Sequence, residues 1–143
     1  MRQKTLYFME KFPQLLIFFK SRNLNPKKYL FISSHEPCSM CLSAITWCGF
    51  DNFYYFFPYS DTESSFNIPH DLKILNEVFN INNGEYNKDN YYWKSHSILE
   101  SINKSKDPDK EKVLEKAQKI RDQYENLSEL YQSSKISNNI PLN

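Results

Sequence analysis

Lys28-Tyr29-Leu30-Phe31-Ile32-Ser33-Ser34-His35-Glu36-Pro37-Cys38-Ser39-Met40-Cys41, followed directly by Leu42-Ser43-Ala44-Ile45-Thr46-Trp47-Cys48-Gly49, decides the architecture. Residues 28–33 form an apolar run without alternation, the pattern of a strand buried on both faces. Residues 42–48 read as an apolar helix closed by Gly49. Asn52-Phe53-Tyr54-Tyr55-Phe56-Phe57 comes next, dense in aromatic strand formers. Strand, helix and strand within about 30 residues make a βαβ unit, so the fold class is α/β and the strands should be parallel. Cys38 and Cys41 stand i, i+3 at the first helical turn and point the same way. The unpaired backbone N–H groups there favour the thiolate form that binds zinc. A catalytic zinc takes three protein ligands and keeps a fourth position for water, so these two thiols are part of a site and not the whole of it.

Outward from this unit the pattern is weaker. Leu6, Phe8, Met9, Phe12, Leu15, Leu16 and Phe19 recur at helical spacing over 5–22, with Pro13 kinking one helix or opening a second. A turn at 23–26 leads into the first strand. After the second strand, 58–69 reads as a polar, Ser-rich loop and 70–79 as a helix with Leu72, Leu75, Val78 and Phe79 on its apolar face. The Asn-rich stretch 80–90 reads as a surface loop, 91–93 as a short strand or aromatic plug, and 95–103 as a short helix. A long charged helix spans 109–132, and its stripe of Val113, Ala117, Ile120, Tyr124, Leu127 and Tyr131 alternates by four and three. The stripe falls short of the ~3–4 heptads of a coiled coil. It fits packing on its own domain, and a homo-oligomer through the same stripe stays open. The organisation is thus an α/β domain over 1–107, an amphipathic helix over 108–132 and a frayed tail over 133–143.

The 143 residues suffice for one domain with a real core, and the formal charge of +1, from 18 basic and 17 acidic side chains, gives no case for nucleic-acid binding or a polybasic membrane anchor. Leu15-Leu16-Ile17-Phe18-Phe19 is far shorter than the roughly 20 residues of a membrane helix. Three cysteines, two of them in Cys-x-x-Cys, make no disulfide framework, which fits a reducing compartment and a cytoplasmic location.

The run Glu36-Pro37-Cys38-Ser39-Met40-Cys41-Leu42-Ser43-Ala44-Ile45-Thr46-Trp47, with the aromatic strand carrying Tyr54-Tyr55, resembles the cytidine deaminase-like superfamily. It is most similar to the branch of guanine, deoxycytidylate and tRNA adenosine deaminases, and the similarity covers residues 28–58. The resemblance implies a three-layer sandwich, a mostly parallel sheet flanked by helices. It implies zinc as cofactor and hydrolytic deamination of a nucleobase, nucleoside or nucleotide, of cytosine or deoxycytidylate type. Cys38 and Cys41 carry over as metal ligands. In this family H-x-E on the preceding helix supplies the third ligand and the proton-shuttling Glu. Glu36, in the E-P-C position, is not that shuttle and is expected to position the loop.

No His precedes His35 in this chain. One helix, one strand and their loops place H-x-E about 25–30 residues before Cys38. Phe8-Met9-Glu10 stands there, making Glu10 the candidate carboxylate, with Phe8 in the ligand's place. The alternative is a fragment, incomplete at the N-terminal edge of the sheet, whose H-x-E lies upstream of Met1. In that case the chain as given is an inactive deaminase-fold fragment or interaction scaffold. His35 would have to fold back to reach the metal, and His70 and His96 stand at helix beginnings in polar surroundings. Cys48 lies two turns beyond Cys41, too far to share an ion, and reads as a buried thiol. A third class is a thiol–disulfide protein, for which strand, Cys-x-x-Cys and helix suffice and Ile68-Pro69 would mimic a cis-proline loop. Trp47, Tyr59 and Trp93 are aromatic enough to stack a base but read first as core.

Overall fold

A computed structural model describes residues 4–7, 12–65 and 69–134. A four-stranded, all-parallel sheet in the order β1-β2-β3-β4 organises the chain, with strands Lys4–Tyr7, Tyr29–His35, Asn52–Phe57 and Lys94–Ser97. Among the described residues six α-helices connect and flank it: α1 (Phe12–Ser21), α2 (Ser39–Cys48), α3 (Tyr59–Ser64), α4 (His70–Phe79), α5 (Ile98–Lys104) and α6 (Lys110–Ser134). The central pair is in the register Phe31↔Phe53 and Ile32↔Tyr54, which sets alternate aromatics of β2 and β3 side by side.

The first odd-numbered residues of β2 and β3 face α1 and α2. Tyr29, Phe31, Phe53 and Tyr55 join Phe19, Ile45, Cys48, Phe50 and Trp93 in one buried cluster. Its rings meet edge-on: Phe19 lies 5.3 Å from Phe50 and Phe53 lies 5.0 Å from Trp93 between centroids, the arrangement the aromatic quadrupole favours. Trp93 closes the cluster from the far end of the chain, its indole N–H donating to the Thr46 hydroxyl at 2.8 Å. Even-numbered strand residues point the opposite way. Tyr54 stacks on His96 of β4 at 4.7 Å and shares a cavity with Ile98 and Ile102 of α5 and Val113 of α6. Helices therefore cover both faces of the sheet, as parallel strands require.

Several expectations change. Residues 5–7 belong to a strand, paired in parallel with β2 in the register Thr5↔Leu30. The helix begins only at Phe12, so Pro13 sits in the first turn, where its missing N–H costs nothing. Among the described residues one strand and one helix thus precede β2. The 58–69 stretch contains α3, held by buried Tyr59 and Thr62. His96 lies in β4, not at a helix start, and 95–97 is strand before α5 begins. Val78 and Phe79 of α4 are exposed and Leu75 alone is buried. Within 80–90, Gly84 is buried at φ 69°, and a Cβ there would stand 2.5 Å from the Tyr59 ring, so this segment packs against α3 instead of lying free. Tyr91 and Tyr92 are exposed and only Trp93 plugs the core.

The buried line of α6 is also displaced from the apolar stripe. It runs through Leu114, Ala117, Arg121, Tyr124 and Ser128, while Ile120, Leu127 and Tyr131 stay largely open. Arg121 stands in that line: its Nη2 meets Asp61 Oδ2 of α3 at 2.7 Å, both side chains mostly buried, and its guanidinium lies 5.6 Å from the Phe57 ring centre. No described helix is long and apolar enough to cross a membrane. Residues 135–143 lie outside the described set.

Candidate metal and substrate site

The carboxyl ends of β2 and β3 deliver the chain to one spot, the place where open parallel sheets bind ligands. From His35 the chain turns through Glu36 and Pro37 into α2, with Cys38 at the N-cap in extended conformation (φ −63°, ψ 170°). Its carbonyl accepts the first helical bond from Leu42 N–H at 2.8 Å, and its side chain makes no capping bond. The thiol is therefore left free to project beside Cys41, and the two sulfurs lie 3.4 Å apart. Contact with Cys41 and nearby backbone N–H groups bring the Cys38 thiol down to about 6, against burial. The same contact, with burial, holds Cys41 well above the ordinary thiol range.

Glu36 fixes the turn that presents them. It is buried, at 4% exposure, and both carboxylate oxygens are engaged. Oε2 accepts the Tyr59 backbone N–H at 3.0 Å, satisfying an otherwise orphaned donor in the first turn of α3. Oε1 accepts the Tyr86 hydroxyl at 2.8 Å and meets Lys88 Nζ at 2.9 Å. Lys88 also donates to the Tyr55 hydroxyl at 3.0 Å. Tyr59 returns the contact, its hydroxyl donating to the Pro37 carbonyl, and Glu36 N–H extends the β2–β3 ladder to Phe57 O at 2.8 Å. The loop before the cysteines is thus tied to β3, α3 and the 84–90 segment. Burial and the neighbouring Glu36 charge push the phenols of Tyr59 and Tyr86 far above their usual range.

A cavity of about 480 Å³ opens over the thiols. Its floor is 35–38 with Met40 and Cys41, one side is Thr62 and Asp71 from α3 and α4, and the other is Tyr124, Leu127, Ser128 and Tyr131 from α6. The Cys38 and Cys41 positions expected from the motif come together here, and Cys48 is buried in the core cluster as expected. Glu10 and Phe8 lie outside the described residues, as does Ile68. His35 lines the cavity, but its ring is packed against Phe57 and Tyr124 at 5.6 and 5.0 Å, and burial lowers its pKa. His96 is on the opposite face, stacked on Tyr54. Tyr59 and Trp93 are buried, whereas Trp47 is exposed on the outside of α2 and touches neither core nor cavity. Asp71 and the α6 wall were missed, because nothing local in the sequence links 71 or 124–131 to 38–41.

Zinc held by two thiolates at about 2.3 Å in tetrahedral geometry needs sulfurs about 3.8 Å apart. The observed 3.4 Å is a small side-chain rotation away, so Cys38 and Cys41 fit two of the four positions. Among the described residues no three His, Cys, Asp or Glu groups converge closely enough to hold an ion together.

The site belongs to a chain with a parallel α/β sheet and a two-thiol cavity at its carboxyl edge. Comparison with known proteins finds no match to any family model, curated protein or solved structure.

Proposed function

We propose that this chain carries the cysteine half of a zinc-dependent hydrolytic deaminase site acting on an amine-bearing nucleobase, nucleoside or nucleotide, in a cytidine deaminase-like domain. The observation that carries the reading is the thiol pair. Two cysteines at the first turn of α2, behind Glu36-Pro37, face a ligand-sized cavity at the carboxyl ends of parallel strands. Cys38 and Cys41 would hold the metal, which when bound supplies a water acid enough to ionise near pH 7. Glu36 holds the ligand-bearing turn in place, and α6 forms one wall of the cavity. The third ligand and proton shuttle are assigned to residues outside the described set, Glu10 being the candidate carboxylate within this chain.

The test is metal analysis of the purified chain, with ammonia release measured on cytosine, adenine and guanine compounds. About one zinc per chain, lost in Cys38→Ser and Cys41→Ser, together with ammonia release supports the reading. No zinc after loading at neutral pH refutes it. Zinc without turnover reassigns the chain to a non-catalytic scaffold. One observation favours a second reading, thiol–disulfide exchange: Cys38 is the more acidic of two thiols 3.4 Å apart at a helix start. Reduction of insulin by the dithiol form, abolished in Cys38→Ser, would decide for it.

A further inference from the structure

We infer that the end of the sheet opposite the thiols binds single-stranded nucleic acid, with the cations of residues 20–28 on its phosphates and Trp47, Tyr91 and Tyr92 stacked on its bases. This is a holding surface, independent of the deaminase reading and of any metal.

Topology brings the parts together. Parallel strands start at one edge, and the segments that enter it carry these residues. The α1–β2 connection brings Lys20, Arg22, Lys27 and Lys28, the last turn of α2 brings Trp47, and the turn before β4 brings Tyr91 and Tyr92. Three contacts hold the segments side by side. Asn52 Nδ2 reaches the Tyr29 carbonyl at 3.5 Å, Lys94 N–H donates to the Asp51 carbonyl at 3.1 Å, and the Trp93 indole donates to the Thr46 hydroxyl at 2.8 Å. At about 3.3 Å per residue, β2 sets this edge roughly 20 Å from the turn that bears the thiols.

The formal charge of +1 conceals a concentration. Residues 20–28 hold four cations and no acid, which leaves the rest of the chain net acidic. All four are exposed, and among the described residues none of them stands in an ion pair. Two acids at the same edge are engaged, Asp89 with Lys94 at 2.8 Å and Asp51 with Asn52 Nδ2 at 2.6 Å. The backbone that presents the cations is fixed: the Asn25 side chain accepts the Lys27 N–H at 3.1 Å, and the Arg22 guanidinium lies 4.5 Å from the Phe18 ring centre.

The rings are held open in the same way. Trp47 is 79% exposed, Tyr91 95% and Tyr92 61%. Asn90 Oδ1 accepts the N–H groups of Tyr92 and Trp93 at 2.9 and 3.2 Å, so the tyrosines stand on a braced turn. Open rings beside unpaired cations suit a chain of repeating phosphates and flat bases, since stacking accepts any base and the cations follow the backbone. An acidic peptide offers the charge without the row of flat rings.

The experiment is fluorescence anisotropy of the full chain, chelator present, with a labelled mixed-sequence single-stranded RNA of about 15 nucleotides. Affinity should fall with salt, with a log–log slope of about −2 to −3, as three or four phosphate contacts require. Lys27→Glu with Lys28→Glu should weaken binding at least about tenfold and flatten that slope. Tyr91→Ala should weaken it about fivefold or more at an unchanged slope. Circular dichroism and melting should stay those of the parent, because every changed side chain is exposed. Absence of binding at about 0.1 M salt, equal binding of a duplex of the same length or of a polyglutamate peptide, or variants as tight as the parent overturns the inference. None of these results touches the deaminase reading, which is read through zinc and ammonia.

Discussion

Replacing Glu36 tests the construction of the site most directly. Glu36→Ala removes an acceptor from three donors at once: the Tyr59 N–H, the Tyr86 hydroxyl and Lys88 Nζ. Lys88 is 45% exposed and can turn to water, so its loss counts for little. The Tyr59 N–H and Tyr86 hydroxyl remain inside, each left unsatisfied at about 1–3 kcal/mol. The sum, about 2–6 kcal/mol, overlaps the range for breaking a buried ionic contact. It is a large part of the 5–15 kcal/mol that holds a typical domain folded. At about 2–4 °C per kcal/mol, melting should fall by roughly 5–20 °C. Glu36→Gln separates charge from hydrogen bonding. Its amide oxygen can keep the Tyr59 N–H, and its NH₂ can face the Tyr86 oxygen once that hydroxyl rotates. Only the Lys88 contact is then lost, about 1 kcal/mol or less. Tyr86→Phe removes one bond, again about 1 kcal/mol. Denaturant titrations followed by circular dichroism, with chelator present so that metal does not contribute, should rank Ala far above Gln and Phe in cost. If Glu36→Ala costs under about 1 kcal/mol, or Gln costs as much as Ala, the carboxylate does not anchor the turn as argued.

The remaining expectations are briefer. Burial keeps the phenols of Tyr55, Tyr59 and Tyr86 protonated above their ordinary range, so their contribution is full below the unfolded value near ~10 and is lost as pH rises past it. Unfolding free energy should therefore decline from about pH 10 upward, and all ten tyrosines ionising near that pH in a folded chain would contradict it. Trp93→Ala should cost about 3–5 kcal/mol, while Trp47→Ala, at an exposed site, should stay within about 0.5 kcal/mol; equal costs by chemical denaturation would refute the placement of the two indoles. Arg121→Ala leaves Asp61 unpaired and should cost about 1–3 kcal/mol. It should also speed amide exchange over 118–134, and unchanged exchange there would mean that α6 is held by other contacts.

What could be read in advance follows the range of the interaction that fixes each element. Strand β3 and helix α4 match the sequence reading at both ends, because Gly49, Pro58 and Asn80 punctuate them locally and their composition is unambiguous. Residues 5–7 carried a helical spacing, yet they pair with β2. An available strand edge outweighs a short periodic signal that runs into Pro13. Helix α3 was hidden by its Ser-rich composition, since what stabilises it is the Glu36 carboxylate at its first turn and the Tyr59 ring beneath Gly84. In α6 the apolar stripe pointed to a face offset from the buried one, because the buried line includes Arg121, whose pairing with Asp61 is invisible to any count of apolar residues.

The same distinction divides the site. Cys38 and Cys41 are neighbours in sequence, and helix geometry alone brings their sulfurs together, so a motif sufficed to find them. Asp71 and Tyr124 reach the cavity only through the crossings of α4 and α6, 30 and more residues downstream in a chain with no local mark of the encounter. Glu36 stands between these cases. A charged residue set between an apolar strand and a proline is a visible anomaly, since burying it demands partners. Those partners, Tyr59, Tyr86 and Lys88, are drawn from two later segments and tie them to the cysteine turn. The carboxylate therefore acts as the joint through which distant chain is brought against the thiols. A substitution there should loosen the cavity's far walls before it unfolds the sheet, because β2 and β3 keep their backbone ladder and aromatic core without it.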